Sequence, residues 1–489
     1  MPIEFRDIEH EEQSERDAPF SHVGIIFFGE NGEWYARRVG TNFEASGDGV
    51  PQRLEGGLWV ADMEYDEVRA ISKEMRGLSM RSDGWFKLPI RQIRNAFGLG
   101  GRTAEQSLPI VAAIADRVYR LTQEALRANM SEMGYRAPQE FQSGMERASS
   151  LATAIFTVNE AAMKRSGSSE KRVIEHFART WQSGIYIANR KEPPEGHLNL
   201  SFHFPRLSYA LNVTAGDVPA TSAWQIASRP DDQGVEEFLQ QMRKTGRPAI
   251  YKAMCQPGEG FVPEHIQAFA NGLSSSMGDA HRARFIDDEI RLLSPHYRMM
   301  IEGVIAGSGW RPSATGQLLR CLEDSAGGPE ASRASWSAGL AAENILASAM
   351  RAARKESPGQ TAEAVWIAAR DRAAMVPAIG ALTDVGAMLV SANCGTITVR
   401  CPADIEMLML ILDAAWEAGL LLPLETVEEL RRMGVPIPSS QSLFGGISVD
   451  YLLSAAVHKR QRNALWTLDG IMDLPPDERA RRFRIIISG

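Results

Sequence analysis

Gly196-His-Leu-Asn-Leu-Ser-Phe-His-Phe204 alternates apolar and polar residues without a break. Leu198, Leu200, Phe202 and Phe204 fall on one side of an extended chain and His197, Asn199, Ser201 and His203 on the other, because successive strand side chains point to opposite faces. The segment therefore reads as a half-buried strand with one packed face and one polar face. Upstream, Lys191-Glu-Pro-Pro-Glu-Gly196 ends a helical pattern, since paired prolines and a glycine continue a helix poorly. Ser208–Val213 and Thr221–Ile226 are expected as neighbouring strands, which makes residues 191–230 a small β-rich insert.

On either side of this strand the chain reads as helical blocks closed by hairpins. Two β-prone runs, Val23–Gly29 and Trp34–Val39, flank Asn31-Gly32, the pairing that a tight hairpin turn favours. A strand at Gly57–Ala61 and a helix over 66–76 complete an N-terminal α+β unit, residues 21–108. Ile110, Ile114, Val118, Leu121 and Ala125 then recur at helical spacing, opening a helical block over 109–190 from Pro109. Residues 231–378 are rich in alanine and are expected to be a second helical block. In the C-terminal unit, 379–489, Val385–Ser391 and Thr396–Arg400 form a second hairpin around Ala392–Gly395, and a helix runs from Pro402 to near Gly419. Arg484–Ser488 is a last β-prone run. The expected class is α+β, predominantly helical, with hairpin-plus-helix units at both ends and the β-rich insert between the helical blocks.

At 489 residues the chain is about three times the ~150 residues of a typical domain. Its 44% hydrophobic and 23% charged residues belong to a globular protein and exclude a wholly disordered one. Four cysteines without paired spacing argue against a disulfide scaffold and a four-cysteine zinc site, so a reducing, cytoplasmic setting is expected, with no metal or cofactor. The first twenty residues carry seven acids against two bases, giving −5 of the formal −8. That acidity is opposite to a targeting peptide, and residues 1–20 are expected to be a flexible acidic arm. Met433–Val449, the longest uncharged run, is broken by Pro436 and Pro438, so no membrane span is expected. Heavy use of alanine and arginine suggests a GC-rich bacterial, phage or plasmid genome.

No motif specifies a reaction, and each candidate for chemistry has a plain structural use. His197 and His203 stand six strand residues apart, ~20 Å, too far to share one metal ion. The polar strand face, with Asn199, Ser201 and His203, is nevertheless where useful side chains converge by pattern. His281 with Asp287-Asp288-Glu289 reads as a charged helix face, paired by Arg284 and Arg291 at helical spacings. Gly98-Leu-Gly-Gly-Arg-Thr103 lacks the pattern of a phosphate loop, and the surrounding helix-turn-helix spacing is weakened by Arg94 and Pro109. Cys401, before a helix-starting proline, is placed where a thiol pKa tends to fall, with Cys394 near it in the chain. Arg91, Arg94 and Arg102, and a second group of Lys459, Arg460, Arg462, Arg481 and Arg482, are the candidate contacts to phosphates.

Together these readings favour a non-enzymatic, self-associating assembly or scaffold protein, a homo-oligomer with nucleic acid as a second class of partner. The arm, the terminal strand and the apolar helix after Pro402 are the segments expected to meet neighbouring subunits. The alternative is an enzyme with a cleft site on the His197–His203 strand.

Overall fold

A computed structural model describes residues 23–132, 148–165, 185–186, 193–351 and 361–436, interrupted at 30, 40–42, 52–53, 55–56, 73–78, 88, 97–102, 231–232, 274, 278–279, 330–334 and 423. The acidic arm, the Arg484–Ser488 run and the 459–482 basic group lie outside these residues, as does Arg102. The described residues divide into two compact units, one of 23–158 with 321–344 and the other of 159–320 with 345–436.

The first unit is built on a mixed sheet. Strands β1 (Val23–Phe28), β2 (Glu33–Arg38), β3 (Glu44–Asp48), β4 (Leu58–Ala61) and β5 (Ser79–Arg81) are ordered β3-β2-β1-β4-β5. The first hairpin pairs antiparallel as its turn residues require, whereas β4 and β5 join parallel, with helix α1 (Tyr65–Ser72) as the crossover. Helices α2 (Ile90–Ala96) and α3 (Ala104–Glu132) follow, and α3 packs on β1 and β2. The start expected at Pro109 is corrected: the helix begins one and a half turns earlier, because a proline in the early turns removes few internal hydrogen bonds. Ile26, Trp34, Ala36, Trp59 and Met80 form the core beneath the sheet.

The second unit holds α4 (Leu151–Arg165, shared with the first), β6 (Ile185–Tyr186), β7 (His197–His203), α5 (Arg206–Thr214), β8 (Val218–Ala227), α6 (Val235–Lys244), β9 (Ala249–Pro257) and α7 (Glu264–Leu273). After these come β10 (Ser275–Met277), β11 (Ala280–Ile286), α8 (Asp287–Leu293), β12 (Tyr297–Arg311) and α9 (Ala314–Ser325). The chain continues through α10 (Trp336–Arg351; like α9, divided between the two units), α11 (Ala362–Asp384), β13 (Met388–Asn393), β14 (Thr396–Pro402), α12 (Ile405–Glu417) and α13 (Leu424–Arg432). One sheet is ordered β10-β11-β9-β12-β8 and the other β6-β13-β14-β7.

The protein is thus mixed α/β with three small sheets among the described residues, and three expectations are corrected. Ser208–Val213 is helix α5, since Leu207, Ala210 and Val213 bury one helical side rather than alternating. β7 and β8 belong to different sheets: β7 pairs with β14, nearly two hundred residues away, and β8 with β12. The 231–378 stretch is not wholly helical, because β9, β11 and the fifteen-residue β12 run through it. The C-terminal hairpin and following helix form as expected, although Asp404 is the N-cap, accepting from Met407 N at 3.1 Å.

Helix α11 joins both sheets of this unit. Trp366, Val365 and Ala369 pack with Val218, Ile250, Ile286 and Ile305 of the β10-β11-β9-β12-β8 sheet, and the same helix contacts α8, β13 and β14. It also carries three buried charges. Glu363 accepts from Arg311 (2.7 Å), the Ser313 hydroxyl (2.9 Å) and Thr315 N (2.8 Å), which fixes the β12–α9 connection. Arg372 donates to Glu289, which also accepts from Ile286 N and so closes the start of α8. Asp371 is the third. Removing one member of a buried, hydrogen-bonded set strands the others, so Glu363→Ala is expected to lower the unfolding free energy by about 3 kcal/mol in urea titration.

Candidate functional site

The polar face of β7 does not stand alone. In register with β14, it places Asn199 opposite Arg400, Ser201 opposite Thr398 and His203 opposite Thr396. All three pairs are joined side chain to side chain: Arg400 Nε donates to Asn199 Oδ1 (3.1 Å), the Ser201 and Thr398 hydroxyls meet at 2.9 Å, and His203 Nδ1 lies 3.0 Å from Thr396 Oγ1. Beyond a bulge in β13, Ser391 and Asn393 extend the row from the next strand. Exposure falls along it, from exposed Asn199 through half-buried Ser201 to His203 at 8%. His197 sits at the outer end near the Glu195 carbonyl and joins none of these pairs. The opposite face is apolar: Leu200, Phe202, Ile397, Val399 and Leu389 are buried, and α11 and α12 pack on this sheet.

The inner end of the row is a clamped turn. Cys394 and Gly395 have φ of +53° and +71°, the two left-handed positions of a two-residue hairpin loop, and among the described residues Cys394 alone does this without being glycine. Asp371, fully buried, accepts from Cys394 N (2.9 Å) and from the Tyr209 hydroxyl (2.8 Å). A Cβ on Gly395 would stand 2.7 Å from the Tyr209 ring, so this turn requires glycine twice over, for its φ and for the ring against it. Tyr209 stacks on Phe204 at 4.8 Å, and burial beside the Asp371 carboxylate pushes its hydroxyl well above the usual phenol range. The main chain of His203 is bridged both ways to Leu421 at 2.8 Å.

Asn199, Ser201 and His203 share one face of β7, and Thr396, Thr398, Arg400, Tyr209 and Asp371 are residues around it that the sequence reading did not single out. Alternation on β14 was the available signal for the first three; Asp371 offered only a charge within an apolar helix. Cys401 lies in β14 rather than at a helix end, and burial pushes its thiol up to about 11, opposite to an activated cysteine. Asp287 pairs with Arg291 at 2.7 Å, but Arg284 belongs to β11 and the charged-face reading fails for it. Among the described residues no group of three or more His, Cys, Asp or Glu side chains could hold a metal ion. No described helix is long and apolar enough to cross a membrane.

In the first unit, Arg91 and Arg94 are engaged by acids. Arg91 lies 2.9 Å from Glu64 and 3.8 Å from Asp83. Arg94 lies 3.3 Å from Asp62 and over the Phe27 ring at 4.9 Å. Asp62, at the end of β4, also accepts from Phe28 N at 3.1 Å, binding two parallel strands and α2 together. Burial outweighs these partners and raises its carboxyl from 3.8 to about 6. The folded chain then holds a proton that the unfolded chain has released, so this group's contribution to stability falls as pH rises from about 4 to about 6. Asp62→Asn is expected to flatten the stability profile across that window relative to wild type, by roughly 2 kcal/mol in total, measured by urea titration at each pH.

No protein-family model matches the chain, and no curated protein matches it. Solved structures do. Phi29 DNA polymerase complexed with primer-template DNA and incoming nucleotides is 9% identical, with a TM-score of 0.41 over 77% of this chain and 80% of that one. The post-translocation complex of the same polymerase with primer-template DNA gives 10% and 0.42, covering 77% and 79%, and its complex with single-stranded DNA gives 11% and 0.41 over the same shares. These structures are of an enzyme, against the expectation of a non-enzymatic, self-associating structural scaffold, which is set aside. Of the three segments behind that expectation, α12 buries Leu408, Ile411, Leu412 and Ala415 and leaves Ile405 and Leu410 exposed.

Proposed function

We infer that this protein handles nucleic acid as an enzyme, with a strand held along the polar face of the β6-β13-β14-β7 sheet. The observation that carries this is the row itself: Asn199, Ser201, His203, Thr396, Thr398, Arg400, Ser391 and Asn393 stand on neighbouring strands of one sheet. These hydroxyl, amide, imidazole and guanidinium groups are the types that contact phosphate and sugar oxygens. None of the eight is a carboxylate, so an anion approaching the row meets donors without a like charge among them. From Asn199 to His203 the row runs four residues along β7, ~14 Å, and it continues across β14 and β13, which suits an extended polymer more than a compact metabolite. His203, with Nδ1 3.0 Å from Thr396 Oγ1, is the side chain of this row able to serve as a proton donor or acceptor. A cytoplasmic setting accords with this reading.

Fluorescence anisotropy with short labelled DNA and RNA oligonucleotides tests it. Affinity is expected to fall as salt rises, and Arg400→Ala to weaken binding roughly tenfold while making the salt slope shallower by about one. Binding that ignores both salt and Arg400→Ala contradicts the proposal.

A further inference from the structure

The two strands that carry the reactive end of the row are far apart in the chain, yet one buried carboxylate touches the continuation of each. Tyr209 lies in α5, which follows β7 directly after His203; Cys394 lies in the turn that delivers Asn393 and Thr396. Asp371 accepts from the Tyr209 hydroxyl with one oxygen and from Cys394 N with the other. We propose that Asp371 is the positioning residue of this site, holding the Asn393–Thr396 turn against the β7–α5 connection so that Thr396 stands beside His203. The inference rests on the nucleic-acid reading for its ligand, and on geometry alone for the positioning.

Three observations support it. Cys394 occupies a left-handed conformation that a side chain rarely adopts, and such a residue persists only where its surroundings over-determine it. Phe204 N donates to Gly395 O at 3.0 Å, so the same turn is tied to the residue after His203 by the main chain as well. The Tyr209 ring, stacked on Phe204, fills the space beside Gly395 and packs against the turn whose main chain the Asp371 carboxylate holds. Asp371 supplies that hold from α11, the helix already fixed to the rest of the unit through Glu363 and Arg372. It reaches the reacting atoms only through other residues and takes no part in proton transfer itself.

The test compares full-length Asp371→Ala, Asp371→Asn and Tyr209→Phe. Its first readout is the rate at which Cys394 reacts with a thiol reagent, isolated by subtracting a Cys394→Ser version of each chain. The second is the imidazole NMR signal of His203, and the third is oligonucleotide affinity. Asp371→Ala is expected to speed Cys394 modification about tenfold, shift the His203 signal and weaken oligonucleotide binding about tenfold, with unchanged far-UV circular dichroism. Asp371→Asn is expected to restore all three to within about threefold, because its amide oxygen can accept from Cys394 N while its amide nitrogen donates to the Tyr209 oxygen. Tyr209→Phe leaves the carboxylate on Cys394 N, so Cys394 is expected to stay slow. If Asp371→Ala does not fold, the asparagine and phenylalanine chains decide: fast modification of Cys394 in Tyr209→Phe overturns the assignment. Wild-type rates and an unmoved His203 signal in Asp371→Ala overturn it too. A wild-type chain that binds no oligonucleotide defeats the nucleic-acid reading, while the thiol and imidazole readouts still decide the positioning.

Discussion

Asp371 sits in the middle of α11 with no surface exposed, and a carboxylate in that position costs several kcal/mol unless its oxygens are satisfied. The Tyr209 hydroxyl and the Cys394 amide satisfy them. Both donors come from segments distant in sequence, so the cost of burial becomes a requirement that α5 and the β13–β14 turn meet at this one point. The geometry of the polar row follows from that meeting. Thr396 is the first residue after the clamped turn, and His203 is the last residue of β7 before the chain turns into α5.

The neighbouring charges on α11 act in the same manner on other elements. Glu363 gathers the β12–α9 connection and Arg372 the start of α8, so one helix organises both sheets of its unit through acceptors and donors that water cannot replace. Apolar burial supplies the bulk of the stability, as the Trp366 cluster indicates, but burial is not directional. The buried polar groups fix which segments meet. In the first unit Asp62 has a comparable place, joining β1, β4 and α2, and it differs in that burial leaves its carboxyl titratable near pH 6.

Much of the local structure was legible in the sequence. The strict alternation of Leu198 to Phe204 identified β7 and its polar face, Asn31-Gly32 identified the first hairpin, and Pro402 with Asp404 marked the approach to α12. What could not be read was pairing. Nothing local in β7 names β14 as its partner, and without Thr396, Thr398 and Arg400 opposite it the polar face resembles an ordinary solvated surface. Ser208–Val213 was misread because a short segment after a proline fits a strand or a helix until its buried side is known. Strands β9, β11 and β12 were hidden by alanine density and charge in the surrounding stretch, a compositional signal that says nothing about long-range pairing. Asp371 was invisible for the opposite reason: between two arginines it resembles a surface charge, and only the tertiary fold turns it inward.

Residue-resolved hydrogen exchange at the Cys394 amide decides whether Asp371 clamps the turn. This hydrogen bond lies in a hairpin turn, where amides ordinarily exchange through small local openings, yet its acceptor belongs to the core of α11. A clamped turn requires Cys394 N–H to exchange as slowly as the amides of α11 around Asp371, released only when the whole unit opens. Exchange at the pace of other turn amides, with α11 still protected, would contradict it.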